Sequence, residues 1–517
     1  MGTYRNPILP GCHPDPSICR VGDAYYLVTS TFEYLPGLPI HRSTNLVDWQ
    51  LIGHAIHRPE QLEGDCGLDF APIPSSKGLY APTIRHHAGR FYVVCTHVAG
   101  AGHPLARSGH FVVTADDPAG PWSEPVWFDG MPGIDPSLTF DGDRLWLCAT
   151  APAAGDAWTG ANAVWLAELD PETFAPLGER TAIWTGALDG AGWAEAPHIL
   201  PHPDGGWLLV AAEGGTDRDH SVCVAYADQI TGPYRGDPGN PRLTHRHLGA
   251  RAPIANVGHA DLVEAPDGRT WAVALATRTD AGTDALTARQ TVLVPVEWQA
   301  GRPVFAPGSG RVEAVVEAEG VADQQPWPDL VRDDFDAPAL DLAWNGVRRL
   351  PSAFADAGAR PGFVRLTATS DEPSQVGATS FLARRLPDSR VDVRTVVELS
   401  AGEGALRAGL LLRTSELGFV ELSVDRAGRV RAVLEDSGRT IELGSTTLPA
   451  GAPVALAMRV EGFCVELIAA GFVVATADVR GVLTTGRTSW FVGTWVGPFA
   501  VGEGVADVDV VELRTRA

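Results

Sequence analysis

One segment design recurs five times in the first three hundred residues, and this recurrence limits the fold more than any other feature of the chain. Each copy has a short acidic or small residue, usually followed by Pro, then a β-type segment, a tight Gly-containing turn and an aromatic-rich strand. The first copy is Asp15-Pro16-Ser17-Ile18 with Gly22-Asp23 leading into Ala24–Val28, and the second is Ala81-Pro82-Thr83-Ile84 with Gly89 leading into Phe91–Val94. Asp135-Pro136-Ser137-Leu138, Ala196-Pro197-His198-Ile199 and a weaker Ala260-Asp261-Leu262-Val263 follow, with successive starts 54 to 66 residues apart. Five units of about 60 residues, each a hairpin continued by further strands, are what a five-bladed β-propeller requires. Five unrelated hairpins would not keep the Pro at one place in four copies.

From about residue 306 to 330 the chain turns to Pro, Gly and acidic residues, which reads as a linker or wrapping segment. Beyond it, alternating stretches such as Val391–Leu399 and Phe419–Val424, separated by Gly turns, predict an antiparallel β-sandwich over 331–517, with a second barrel-like sheet as the alternative. The expected fold is therefore all-β: a propeller over 1–305, a linker over 306–330 and a sandwich over 331–517.

Charge and composition exclude several functions. Forty Lys and Arg against 63 Asp and Glu leave a formal net charge of −23, and Lys77 is the sole lysine. Such a chain repels a phosphate backbone, so no nucleic-acid partner is expected. Seven scattered cysteines (12, 19, 66, 95, 148, 223 and 464) show no C-x-x-C spacing and predict buried free thiols, not a zinc site or a disulfide framework. The start of the chain lacks a basic, then apolar, signal pattern, and no apolar run reaches the length of a membrane span. A soluble, cytoplasmic protein without a membrane partner is expected. Fifteen Trp against eight Tyr fit either a large β-rich core or platforms for sugar faces.

In a propeller the innermost strand of each blade lines the axis, so equivalent repeat positions converge at one end of the channel. The repeat starts thus bring together Asp15, Asp135 and, one position earlier in its copy, Glu195, with Tyr80 and His259 from the other two blades. Three carboxyls facing one funnel repel one another, which is the condition for one of them to stay protonated at neutral pH. A protonated acid opposite an ionised base is the arrangement of glycosidic-bond hydrolysis. Metal binding by the same carboxyls with His259 is the rival chemistry, but no H-x-x-x-H, H-x-H or dense acidic loop supports it. Ser17 and Ser137 lack a G-x-S-x-G context, and the run Glu213-Gly214-Gly215-Thr216 lacks the Lys of a phosphate loop.

Asn6–Gly11 running into His13–Ile18, with Tyr80–Arg85, Gly133–Leu138 and Ala194–His198 following in order, resembles glycoside hydrolase family 43. The resemblance covers essentially the whole chain and points to the β-xylosidase and α-L-arabinofuranosidase branch, whose C-terminal domain is a concanavalin-like sandwich. It implies Asp15 as the base that activates water, Glu195 as the acid, and Asp135 as the carboxyl that tunes the acid. It also implies inversion at the anomeric carbon. Arg289 matches an arginine near the acid site, although Ala288 and Gln290 replace the usual Gly and Glu, and Arg278 competes for that role. Phe32, Tyr80 and Thr216 match pocket walls. His259 matches an axial histidine at which some relatives hold calcium; a hydrogen-bonded histidine is the preferred expectation, and no cofactor is required. The stretch 491–497 resembles a segment that closes one side of the pocket, and Trp495 is taken as its substrate-facing aromatic. The expected activity is exo-acting release of terminal β-D-xylose from short xylo-oligosaccharides, with α-L-arabinofuranose as a second sugar or as the main one. A non-catalytic sugar-binding propeller is the alternative from another class, and the intact carboxyl set argues against it. The oligomeric state stays open, a homo-oligomer included.

Overall fold

Turn chemistry repeated along the chain produces five consecutive antiparallel sheets, and the computed structural model arranges them as five propeller blades. It describes residues 1–516 except 65–66, 71–72, 100–106, 154, 156–157, 191, 281, 283 and 485–486; Cys66 lies outside the described residues. The inner-to-outer strands of blade I are Ser17–Val21, Ala24–Val28, Gly37–Ser43 and Gln50–Ile56. The innermost strands of blades II to V are Gly78–His87, Ile134–Asp141, Glu195–Pro201 and Ile254–Glu264. Among the described residues the only helical turns are two short 3₁₀ segments, Pro59–Gln61 and Pro351–Ala353.

The recurring Pro has a structural cause. In blade II, Tyr80 pairs with Thr96 and Thr83 with Val94, so Ala81 and Pro82 together oppose Cys95 alone. In the same way Asp135-Pro136 oppose Ala149, and Ala196-Pro197 oppose Ala211. In blade I the Ser30 N–H reaches the Pro14 carbonyl and Ser17 pairs with Val28, which sets Asp15-Pro16 against Thr29. Each is a β-bulge, and proline suits a bulge because it has no N–H to leave unpaired. The first bulge residue is left-handed in three of these four blades, with φ of 54° at Asp15, 57° at Asp135 and 51° at Ala196. A bulge re-aims side chains, and here it turns them from the blade face toward the axis.

Blade V corrects the expected register. Asp261 pairs with Val273 as Ser17 pairs with Val28, so His259 (φ 47°), not Ala260, is the equivalent of Asp15. A second bulge between Ala255 and Gly258 hid this in the sequence.

Residues 306–330 do more than link. Val315–Ala318 pairs with Gly2–Arg5, and the Gln324 N–H donates to the Thr3 carbonyl, so the segment wraps back over the chain start. Residues 6–13 meanwhile bond along blade V: the Ile8 N–H to the Thr291 carbonyl and the His13 N–H to the Arg289 carbonyl. This zipper joins the last blade to the first.

The sandwich is built from two eight-stranded sheets around a Val- and Leu-rich core. One sheet takes in Tyr34–Leu35 of the propeller as its edge strand, paired with Asn345–Val347. Phe32, Tyr34 and Tyr80 share a buried cluster with Phe381, Trp495 and Phe499. The two domains therefore share one core at the axial end of the propeller. Of the described cysteines Cys464 is exposed and Cys19 partly so, departing from the expectation of burial for both; Cys12, Cys95, Cys148 and Cys223 are buried and free.

Candidate active site

The bulges bring Asp15, Asp135 and Glu195 to the wall of one cavity of about 370 Å³ at the axis, with Phe32, Tyr80, Thr216, His259 and Arg289. Asp15 is buried and fully engaged. Arg289 Nη1 lies 2.8 Å from its Oδ1, and Ser30 Oγ donates to its Oδ2 at 2.6 Å. Burial raises its pKa, but the Arg289 charge, His259 and Ser30 together outweigh this and hold it below the ordinary carboxylate range. Arg289 thus bonds Asp15 directly, while it lines the same cavity as Glu195 and its charge acts on that acid too. It also donates to Thr216 Oγ1 (3.1 Å) and to the Phe491 carbonyl (3.3 Å). Arg278, the rival, pairs with Asp388 of the sandwich at 2.8 Å and does not line the cavity. Gln290 donates to the Gly11 carbonyl at 3.2 Å and so helps to hold the zipper.

The other two carboxyls move the opposite way. Burial, then the charges of Asp135 and Asp15, pushes Glu195 well above its ordinary value. Burial and the Asp15 charge raise Asp135 as well, against the Ala196 N–H that donates to its Oδ2 at 3.1 Å. One carboxylate is held as a base beside a cation, while burial, reinforced by the neighbouring carboxylate charges, raises the pKa of the other two. This separation by environment supplies an acid and a base from one residue type.

Aromatic rings shape the wall opposite. Phe32, at φ 54°, meets Tyr80 edge-on at 5.3 Å and stacks on Phe491 at 5.9 Å. Phe491 comes from the sandwich, on a loop pinned by Ser76 Oγ, which accepts the N–H groups of both Trp490 and Phe491 at 3.1 Å. Gly493 lets this loop descend: a Cβ there would stand 2.7 Å from the Cys12 Cβ and 2.8 Å from the Thr287 carbonyl oxygen. Trp495 is not part of the cavity. It is 2% exposed, stacked on Tyr34 at 3.9 Å with Arg385 on it, because it begins the strand that fills the shared core. Phe491 and Trp490 take the place expected of it.

Sequence reading missed two groups. His220, with its pKa pushed down to about 4 by burial, lines the cavity and donates from Nδ1 to the Asn256 carbonyl at 2.9 Å. Its ring occupies the space where Gly258 would carry a Cβ, which explains that glycine. Beneath the cavity, Arg85 closes the axis. Its guanidinium bonds Asp261 (2.8 Å), Ser17 Oγ (3.2 Å) and His198 Nδ1 (3.0 Å). Ser17 and His198 each lie two positions beyond the first bulge residue of their blade, so one arginine ties several inner strands together. Arg85 ends the motif Tyr80–Arg85, and its bonds to Ser17, Asp261 and His198 show that it points inward.

His259 Nδ1 is 3.7 Å from Asp15 Oδ1, with the Arg289 charge acting on it. Calcium needs six to eight oxygen ligands. Among the described residues no group of three or more His, Cys, Asp or Glu side chains is placed to hold a metal, and the Asp15 carboxylate already accepts from Arg289 and Ser30.

A buried base, raised acids and a small aromatic-walled pocket on a propeller define a glycoside-cleaving enzyme. Residues 4–303 match the model for glycosyl hydrolases family 43, and 332–514 that for the β-xylosidase C-terminal concanavalin A-like domain. A xylosidase/arabinosidase of Butyrivibrio fibrisolvens is 37% identical over 433 residues, 82% of this chain and 80% of its own. The non-reducing-end α-L-arabinofuranosidase BoGH43B of Bacteroides ovatus is 34% identical over 99% of this chain and 94% of its own. The solved structure of a xylan β-1,4-xylosidase from Bacillus halodurans superimposes with a TM-score of 0.88 at 29% identity, covering 99% of this chain and all of that one. The chain belongs to glycosyl hydrolases family 43 and is a glycoside hydrolase.

Proposed function

We propose that the enzyme removes single terminal pentoses, β-D-xylose first and α-L-arabinofuranose second, from the non-reducing ends of short oligosaccharides, with inversion. The observation that carries this is the opposite shift of Asp15 and Glu195 inside one cavity. Ionised Asp15 takes a proton from a water whose oxygen attacks the anomeric carbon, while Glu195 gives its proton to the departing glycosidic oxygen. Burial raises the Glu195 pKa first, and Asp135, whenever it is ionised, raises it further. The small cavity volume and the wall supplied by Phe491 favour an end-on sugar over a continuous chain. The pentose preference is supported by the names of the relatives. No divalent ion enters this mechanism.

Proton NMR during early turnover of a β-xyloside tests the reading, with α-xylose appearing first and the β anomer growing in by mutarotation. First-formed β-xylose would make Asp15 a nucleophile. Parallel release assays on aryl β-xyloside and aryl α-arabinofuranoside rank the two sugars.

A further inference from the structure

The cavity does not end at Glu195. Two positions before it, Trp193 lines the same cavity and also a second, open depression of about 420 Å³ with Trp158, Thr159 and Asn162 of blade III. A Trp at φ 51° is a strained backbone position, and strain of this kind persists where the surroundings enforce it. Here two glycines make the place. A Cβ on Gly160 would stand 2.7 Å from the indole Cδ2 and Cε2, and one on Gly215 would stand 3.2 Å from Cε3. The Trp193 N–H also donates to the Gly160 carbonyl at 2.6 Å. Despite this close fit the residue stays 43% exposed, as does Trp158. Burial in a core would explain a fitted indole, but not one fitted and left open at the mouth of a pocket.

The acid fixes what lies there. The oxygen that Glu195 protonates belongs to the leaving group, so the rest of that group leaves the cavity on the Glu195 side. We infer that Trp193 is the platform for the first leaving-group sugar, and that the Trp158–Asn162 depression receives the next one. The indole covers the apolar C–H face of a pyranose, so the site selects substrates whose scissile sugar is attached to another sugar. This rests on the proposed glycosidase reading and extends it to the leaving group.

The test compares β-xylosyl fluoride, whose leaving atom is too small to reach Trp193, with xylobiose and xylotriose. Trp193→Ala should lower kcat/KM on the oligosaccharides about tenfold to thirtyfold, the loss expected when roughly 50–80 Å² of apolar contact is removed. On the fluoride it should stay within about twofold. Trp193→Phe, which keeps a ring, should fall between and remains informative if the alanine variant folds poorly. Free xylose should inhibit all three forms equally. Equal losses on fluoride and oligosaccharide, or no loss on either, would overturn the platform. A parent enzyme inert on every substrate would overturn the glycosidase reading and the platform with it.

Discussion

Arg289→Gln should move the whole pH profile upward, and the reason is electrostatic. Arg289 Nη1 lies 2.8 Å from Asp15 Oδ1 in a buried site, and its charge lowers the pKa of Asp15, Asp135 and Glu195 alike. At an effective dielectric near 20, a pair of charges about 4 Å apart interacts by about 4 kcal/mol, or about 3 pH units. The glutamine amide and Ser30 Oγ return part of this, leaving an upward shift of roughly 2 units for the Asp15 limb. His259 is a weaker substitute for the cation, since burial lowers its pKa. Activity needs Asp15 ionised and Glu195 protonated, so it rises with pH through the first group and falls through the second. Without Arg289 burial dominates at Asp15, and the acid limb climbs. Glu195 loses the same stabilising cation, so the alkaline limb climbs too, though less, because the direct bond is to Asp15. The loss should therefore be about a hundredfold in kcat/KM on the acid side and much smaller at high pH. Full kcat/KM profiles on an aryl xyloside, parent against variant, check this. A profile lowered uniformly without displacement would show that Arg289 holds substrate but does not set the charge of the base.

Glu195→Ala should cost about 10²- to 10⁴-fold on substrates with poor leaving groups and far less on activated aryl glycosides, whose departure needs little protonation; equal losses would give Glu195 another role. Arg85→Met strands Asp261 without its cation, at a cost of about 3–5 kcal/mol, and should lower the thermal midpoint at pH 7. Arg85→Met with Asp261→Asn should recover part of that loss, because no buried charge remains; no recovery would refute the charge argument. In the parent, Asp261 is held at about 2 against a reference of 3.8, so its contribution is present above pH 4 and lost as pH falls toward 2. Because no step above uses a metal, exhaustive chelation should leave turnover intact, and a metal-reversible loss would place an ion at the site.

The fold was legible because its periodic feature is also its punctuation. A Pro tolerated inside an inner strand marks a bulge, and the bulge repeats because every blade must turn one side chain toward the axis. That makes Asp15-Pro16 and Asp135-Pro136 readable as site positions. Blade V lacks the Pro and carries two bulges, so its register slipped by one in the sequence reading and His259 was set one place before its copy. At the linker the sequence left two readings open, a plain linker or a wrapping segment, for a different reason. Low apolar content over 306–330 signals exposure, yet Val315–Ala318 pairs through its backbone, which composition does not report.

The closing aromatic shows where sequence reading reaches its limit. Phe491 and Trp495 lie four residues apart in one motif, and nothing in their identities ranks them. What separates them is that Trp495 begins the strand Trp495–Gly502, so its ring is committed to the stack on Tyr34, whereas Phe491 sits on the loop before it. That strand neighbours Ser380–Arg385, and the same sheet ends on Tyr34–Leu35 of the propeller. The residue that fastens the domains and the residue that walls the pocket are thus set by one sheet. The Arg289 guanidinium completes the link, since it holds Asp15 with Nη1 and the Phe491 carbonyl with Nη2. Seating of the sandwich and ionisation of the base meet on a single side chain. A variant that loosens the loop, such as Gly493→Ala with its 2.7 Å clash against Cys12, should accordingly disturb the acid limb of the pH profile as well as KM.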